Sequence, residues 1–476
     1  MSKNTFYITT PIFYPNAKLH MGHAYTTTVC DILARYNRLA GRETWLLTGA
    51  DENTEKVVRA ASALNQPVSD YLDGIVNGFK DLYQKLDISY DQFIRTTDRQ
   101  VHWPGAQEFW MRMAASNDIE KRSYEGLYCV GHESFITEKD LVDGKCPDHN
   151  EVPQHIKEEN YFFKLSKYTN KIKKAIESGE MQILPETRKN EILALIDRGL
   201  EDISFSRPAE KMTLGIPVPG DPTQKIYVWG DALTNYVTAI GFGKDEKNFD
   251  KFWPAELHVI GKDILRFHAA IWPGMLMSAG LPLPKRLLVH GFITSGGMKM
   301  SKTLGNVVDP LDLIKEYGAD AVRYYLARHI SPFEDGDLTQ DSFKEAYNAH
   351  LANGLGNLTS RIMKMSEANL QPVTLPKLEL PKDFIFALES FDIKSAANVA
   401  WAKIASLDSI IQKEEPFKKV KDETTKKHAL EIIEQLVVGL AEVALMLESI
   451  LPASAQAVQE CIKANKVPEK PLFLRK

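Results

Sequence analysis

His20 and His23 flank Gly22 at the point where an apolar helical pattern begins. Side chains three apart share a helix face, so both imidazoles can meet one ligand, and a helix N-terminus favours an anion there. Gly22 lets a flat group come close to the backbone. Far downstream, Lys299 and Lys302 sit in Lys299-Met300-Ser301-Lys302-Thr303, after the pair Gly296-Gly297. That spacing predicts a mobile glycine-hinged loop carrying two point charges for a polyphosphate. A third set, Cys129, His132, Cys146 and His149, reads C-x2-H-x13-C-x2-H. Two short pairs around a hairpin-sized loop suit a tetrahedral, structural Zn²⁺ knuckle, and the competing reading is a metal-free hairpin with reduced thiols.

The elements that must position these groups follow from periodicity. Residues 5–10 alternate as a strand, a proline-bearing turn follows, and 23–40 read as a helix with Tyr25, Val29, Ile32, Leu33 and Tyr36 on one face and Gly41 as its stop. Residues 44–48 form a second strand, ending at Gly49-Ala50-Asp51. This βαβ unit favours a parallel sheet with its ligand at the strand C-termini. The plan recurs as strand 257–260, helix 264–278 and strand 287–294, so one sheet is split by an insertion at 116–207. Beyond about residue 340 the pattern turns to long helices. Ile433, Leu436, Leu440, Val443, Leu447 and Ile450 mark one stripe that Pro452 ends, and a proline-bearing connector spans 371–383.

The 476 residues, 44% apolar and 25% charged, imply a globular chain of several domains. No segment has the plan of a signal peptide or a membrane span, since Glu442 and Glu448 interrupt the most apolar run. Four cysteines are too few for a disulfide framework, so the expectation is a cytoplasmic protein with no membrane partner. The net charge of −5 points to no substrate.

In this order, Pro15-Asn16-Ala17-Lys18-Leu19-His20-Met21-Gly22-His23 and the lysine segment resemble the HIGH and KMSKS elements of class I aminoacyl-tRNA synthetases. Pro11 to Asn16, Thr48 to Glu52, Val228 to Ala232, and Gly261 to Ile264 running into Phe267-His268 make the chain most similar to the methionyl-tRNA synthetase family, over about residues 4–450. The resemblance implies an α/β, Rossmann-like parallel-sheet catalytic domain split by an insertion, followed by an all-α anticodon-binding bundle. The implied domains are 1–115 and 208–295 for the two catalytic halves, 116–207 for the insertion, 296–345 for the KMSKS loop and stem-contact region, and 346–476 for the bundle. The implied reaction is ATP-dependent adenylation of L-methionine, then transfer to the 3′ end of initiator and elongator tRNA(Met).

By the same resemblance His20, His23, Lys299 and Lys302 are catalytic, and Asn16, Gly22, Gly261 and Asp263 join the two lysines in holding ATP with its Mg²⁺. Ile12, Tyr14, Asp51, Trp229, Ala232, Tyr236, Ile264 and His268 hold methionine, with Asp51 on the ammonium and Arg207 steadying Asp51. Aromatic walls suit a polarizable thioether. Asn357, Arg361 and Phe417 read the anticodon. Departures from the family are Thr303 for Ser, Asn53-Thr54 for His-Gly, His132 for Cys, and Phe417 for Trp. Alternative readings are a class I synthetase for another apolar amino acid or cysteine and a catalytically silent tRNA-binding paralogue. A monomer is expected.

Overall fold

The computed structural model describes residues 4–129, 134–136, 138, 141–147, 150–300 and 306–476, without the side chains of residues 134 and 135. The chain forms two compact units: Met1–Lys18, Glu43–Phe79 and Tyr90–Val289 in one, and Leu19–Arg42, Lys80–Ser89 and His290–Lys476 in the other.

The first unit is built on a six-stranded sheet in the order Gln92–Arg95, Glu43–Ala50, Thr5–Phe13, Leu257–Gly261, Arg286–His290, Gln182–Leu184. The strand pairs of defined register are parallel. Thr5–Phe13 is central, and its TFYITTPIF sequence is buried almost throughout, as a strand covered on both faces requires. The strand expected to end at Thr10 runs on to Phe13, and the proline-bearing turn follows it at Pro15-Asn16. Pro11 cannot donate to a ladder, and the register shifts between Thr9 and Ile12 to accommodate it. The insertion forms an antiparallel sheet of Ser134–Ile136, Ile119–Cys129, Gln154–Phe163 and Ile203–Ser204.

Residues 264–278 are helical throughout, as expected, opening on a 3-10 turn at Lys262–Ile264 and carrying a π turn at Phe267–Ile271 before the α segment Trp272–Ser278. Pro273 lacks the N–H that a continuous ladder needs there. Strand 287–294 divides into Arg286–His290 and Ile293–Ser295. Gly291 lies between them, where a Cβ would stand 2.5 Å from the Asp335 backbone nitrogen.

The second unit is mostly helical. Ala319–Arg328, Asn357–Asn369, Ile393–Glu414, Lys426–Ile450 and Pro452–Ala464 carry it. Helix Met21–Leu39, expected within the sheet domain, clusters here and packs on Lys426–Ile450 and Ala319–Arg328. A charge pair explains the attachment. Arg323 and Asp31 are both 0% exposed, with Nη2 to Oδ2 at 2.7 Å. Arg323 also donates to the carbonyls of Ile450 (2.8 Å), Leu86 (3.1 Å) and Ser449 (3.2 Å). Asp31 accepts from Arg35 Nε at 2.8 Å and from the Ser89 N–H and hydroxyl at 2.7 and 2.6 Å. Burial alone would raise the Asp31 carboxyl, but Arg323, Arg35 and Ser89 hold it below the usual range.

Among the described residues no helix is long and apolar enough to cross a membrane. Replacing Asp31 by Asn leaves the Arg323 charge buried without a counter-ion, which should lower the unfolding free energy of this unit by about 3–5 kcal/mol in urea titrations. A loss under about 1 kcal/mol would show that the carbonyl contacts alone hold Arg323.

Candidate active site

In the sheet unit, Trp229 and Ala232 lie on the first turns of helix Val228–Thr238, with Tyr236 one turn on. His268, in the π turn, is 1% exposed. A carbonyl can only accept, so His268 Nδ1–H donates to Ile264 O at 3.0 Å, and Nε2 takes the Tyr236 hydroxyl proton at 2.7 Å. Burial pushes the imidazole down to about 4, against the Ile264 carbonyl that favours its charged form. His268 is therefore neutral at pH 7. The Trp229 ring stacks on Phe267 at 3.7 Å and meets His268 edge-on at 6.2 Å. The Tyr236 hydroxyl and both His268 ring nitrogens have partners within the protein, so a ligand that makes no strong hydrogen bond leaves none of these atoms orphaned.

Asp51 follows strand Glu43–Ala50 and is buried, and its N–H bonds Phe13 O at 3.0 Å. Ile12 pairs with Gly49 in the ladder, and Tyr14 lies under Lys56 Nζ at 4.4 Å. Gly261 ends its strand and Asp263 is exposed on the turn that follows. Arg207, expected to steady Asp51, has another partner. Its Nη2 donates to Glu158 Oε1 at 3.1 Å and its guanidinium covers the Tyr128 ring at 4.2 Å. Burial would raise the Glu158 carboxyl, and Arg207, Asn160 and Lys211 keep it below the usual range. Cys129 and Cys146 are buried. His132 and His149 lie outside the described residues, as do Lys302 and Thr303.

In the helical unit, the two histidines cap helix Met21–Leu39. His20 Nδ1 accepts the Gly22 N–H and His23 Nδ1 accepts the His20 N–H, each at 3.1 Å. Both Nδ1 lone pairs are thus used, which places the proton of a neutral ring on Nε2. The rings lie 3.8 Å apart. Burial, then His20, then His290 lower the His23 pKa well below the ordinary histidine value, so His23 acts as a neutral donor. A Cβ on residue 22 would stand 2.9 Å from His20 Cε1, so Gly22 makes room for the His20 ring itself. Asn16 is exposed.

The pair Gly296-Gly297, expected as a loose hinge, forms the two-residue turn of a hairpin, with φ of 64° and 73°. Asp337 pins it, accepting from Gly297 N at 2.9 Å and Thr294 Oγ1 at 2.8 Å. Lys299 is exposed at the strand that follows. Asn357 and Arg361 occupy successive turns of Asn357–Asn369, Arg361 paired with Asp408, and Phe417 is exposed on Pro416–Lys419.

With this geometry in view, comparison with known proteins is decisive. The model of class I tRNA synthetases (M) matches residues 6–154 and 148–363. The chain is 41% identical over 474 residues to the methionine–tRNA ligase of Caldanaerobacter subterraneus subsp. tengcongensis, covering 96% of this chain and 74% of that protein. It is 43% identical over 473 residues to that of Clostridium acetobutylicum, covering 96% and 73%. The chain belongs to the methionyl-tRNA synthetases. A solved Mycobacterium tuberculosis methionyl-tRNA synthetase in complex with methionyl-adenylate superposes with a TM-score of 0.89 at 35% identity, covering 98% of this chain and 97% of that one. Its apo form gives 0.82 at 32% identity, covering 99% and 98%.

Three neighbours of the expected site residues escaped sequence reading. Phe267 supplies the surface under Trp229, although it stood in a recognised segment. His258, fully buried, lies 4.3 Å from the Tyr236 ring and bonds Thr9 Oγ1 at 2.7 Å. His290 bonds Thr26 Oγ1 at 2.7 Å. A histidine inside an apolar strand was the available signal for the last two.

The depressed His268 pKa links stability to pH. The unfolded chain takes up a proton below about 6.5 that the folded imidazole refuses until about 4, so stability falls as pH drops through that window. His258, lowered by burial and by His268, adds the same sign. Urea unfolding at pH 7 and pH 5 should show a loss of about 2 kcal/mol from His268, absent in His268→Asn. An equal loss in both proteins would assign the pH response elsewhere.

Proposed function

We propose that this ATP-dependent methionine–tRNA ligase holds methionine with its aromatic set and activates it with its imidazole pair and lysines. The methionine carboxylate oxygen attacks the α-phosphorus, and the bond to the pyrophosphate oxygen breaks in line, giving methionyl-adenylate and pyrophosphate. A hydroxyl of the terminal tRNA ribose then attacks the activated carbonyl and AMP leaves. Neither step requires a protein nucleophile, so catalysis is positioning and charge stabilisation. Mg²⁺ enters with ATP and neutralises phosphate charge.

In this reading His20 and His23 donate Nε2–H to phosphate oxygens as charge builds at the α-phosphorus. Lys299 and Lys302 draw on the leaving pyrophosphate, and Asn16, Gly22, Gly261 and Asp263 seat the nucleoside. Asp51 pairs with the substrate ammonium. The Tyr236–His268 hydrogen bond is the observation that supports methionine best. It closes the polar edge on itself and leaves a surface of aromatic faces, against which a thioether gains about 0.3–1.5 kcal/mol per contact. Ile12, Tyr14, Trp229, Ala232 and Ile264 complete that surface. Asn357, Arg361 and the exposed Phe417 read the anticodon by edge hydrogen bonds and stacking. Initiator and elongator tRNA(Met) are the partners, the compartment is the cytoplasm, and the chain works as a monomer.

Buried thiols beside imidazoles in sequence fit a zinc ion. Cys129 and Cys146, with His132 and His149, would hold Zn²⁺ as a structural closure of the insertion. Metal analysis of protein purified without a histidine tag should find about one zinc per chain. A content near zero removes the site.

Pyrophosphate–ATP exchange with each of the twenty amino acids, without tRNA, tests the activation step. Methionine alone should drive exchange. Exchange with a different amino acid would keep the nucleotide chemistry and overturn the methionine set, and no exchange with any would favour a silent paralogue.

A further inference from the structure

Behind the methionine residues runs a buried polar chain that the reaction itself does not use. Asn53 is 1% exposed, and Asp231 and His102 are 0%. Asp231 must accept on both oxygens: His102 Nε2–H donates to Oδ1 at 2.6 Å and Asn53 Nδ2–H to Oδ2 at 2.7 Å. The second Asn53 amide hydrogen goes to Thr96 O at 2.9 Å. Thr96 Oγ1 takes the backbone N–H groups of Glu52 at 2.8 Å and Asn53 at 3.3 Å. On the far side His102 Nδ1 meets Thr238 Oγ1 at 2.8 Å.

The ends of this chain lie next to substrate contacts. Asn53 stands two residues after Asp51. Asp231 stands two after Trp229 and one before Ala232, and Thr238 ends the same helix. The chain therefore clamps the segment bearing the ammonium anchor to the helix turn bearing the thioether walls. A carboxylate buried at 0% without these two donors would carry an uncompensated charge, so the clamp is under strong electrostatic constraint. One amide nitrogen with two hydrogens serves two acceptors, Asp231 and Thr96. A single ring nitrogen cannot do this, which gives Asn a definite task at this position.

We propose that Asn53 and His102, acting through Asp231, are positioning residues that set the spacing between the ammonium anchor and the side-chain walls, and with it selectivity for side-chain length. The inference rests on the assignment of Asp51, Trp229 and Ala232 to methionine. The test is amino-acid-dependent pyrophosphate exchange with methionine and with ethionine, its analogue one carbon longer, for wild type, Asn53→Ala, His102→Asn and Asp51→Asn. The ratio of kcat/KM for the two amino acids, measured on one preparation, is unaffected by any misfolded fraction. One methylene is typically worth about 10–200-fold in such a ratio, so loosening the clamp should lower the methionine preference about fivefold or more. The KM for ATP should stay within about twofold.

Asn53→Ala and His102→Asn with wild-type ratios, or with methionine and ethionine reduced equally, would overturn the proposal and leave the network a structural one. Asp51→Asn separates the two levels. If it leaves the methionine KM unchanged, the underlying assignment fails. If it raises that KM while the other variants keep the wild-type ratio, only the positioning role fails.

Discussion

The helical unit depends on a buried ion pair. Arg323 and Asp31 are removed from water completely, which costs several kcal/mol per ion unless each charge is fully coordinated. Here each is: three backbone carbonyls share the guanidinium, and Arg35 and Ser89 share the carboxylate. The helix carrying Asp31 also carries His20 and His23 at its start. Its lateral position is thus fixed by an interaction that tolerates little displacement, because any shift would strand a charge. The carbonyls of Ser449 and Ile450 end the long apolar helix, so the same contact ties the HIGH helix to the bundle.

The site residues follow a common rule of locked protonation. His20 and His23 spend Nδ1 on backbone donors, His268 spends Nδ1 on a carbonyl, and in each case the remaining nitrogen has one possible role. The first two carry their ring proton on Nε2, the form that the proposed phosphate contacts use. His268 presents an acceptor and uses it on Tyr236, leaving an aromatic surface with little residual polarity. Identical side chains thus serve opposite purposes, and the difference comes from which backbone group faces Nδ1.

Much of this was legible in the chain. The spacing of His20 and His23 put both rings at one helix entrance, and the rings do lie together. The apolar stripe through Leu440 and Leu447 forms one helix, Lys426–Ile450. The parallel sheet followed from strand–helix–strand order. Errors came where one residue overrode a longer pattern. Pro11 lies inside the central strand, which runs three residues past its expected end before the proline-bearing turn at Pro15-Asn16. Pro273 goes with a π turn inside the expected helix, and the expected strand 287–294 divides at Gly291.

By itself the sequence determined the covalently close geometry: which side chains share a helix face, where strands alternate, and which family's motifs are present. Such features depend on backbone dihedral periods and short-range sterics, which act over a few residues. The tertiary structure alone decided the partners of buried charges. Arg207 pairs with Glu158 rather than serving Asp51, Asp31 finds Arg323 across most of the chain, and Asn53 meets Asp231 and thereby His102. A buried charge or amide takes whichever complementary group packing brings within about 3 Å, and no local spacing rule encodes that meeting.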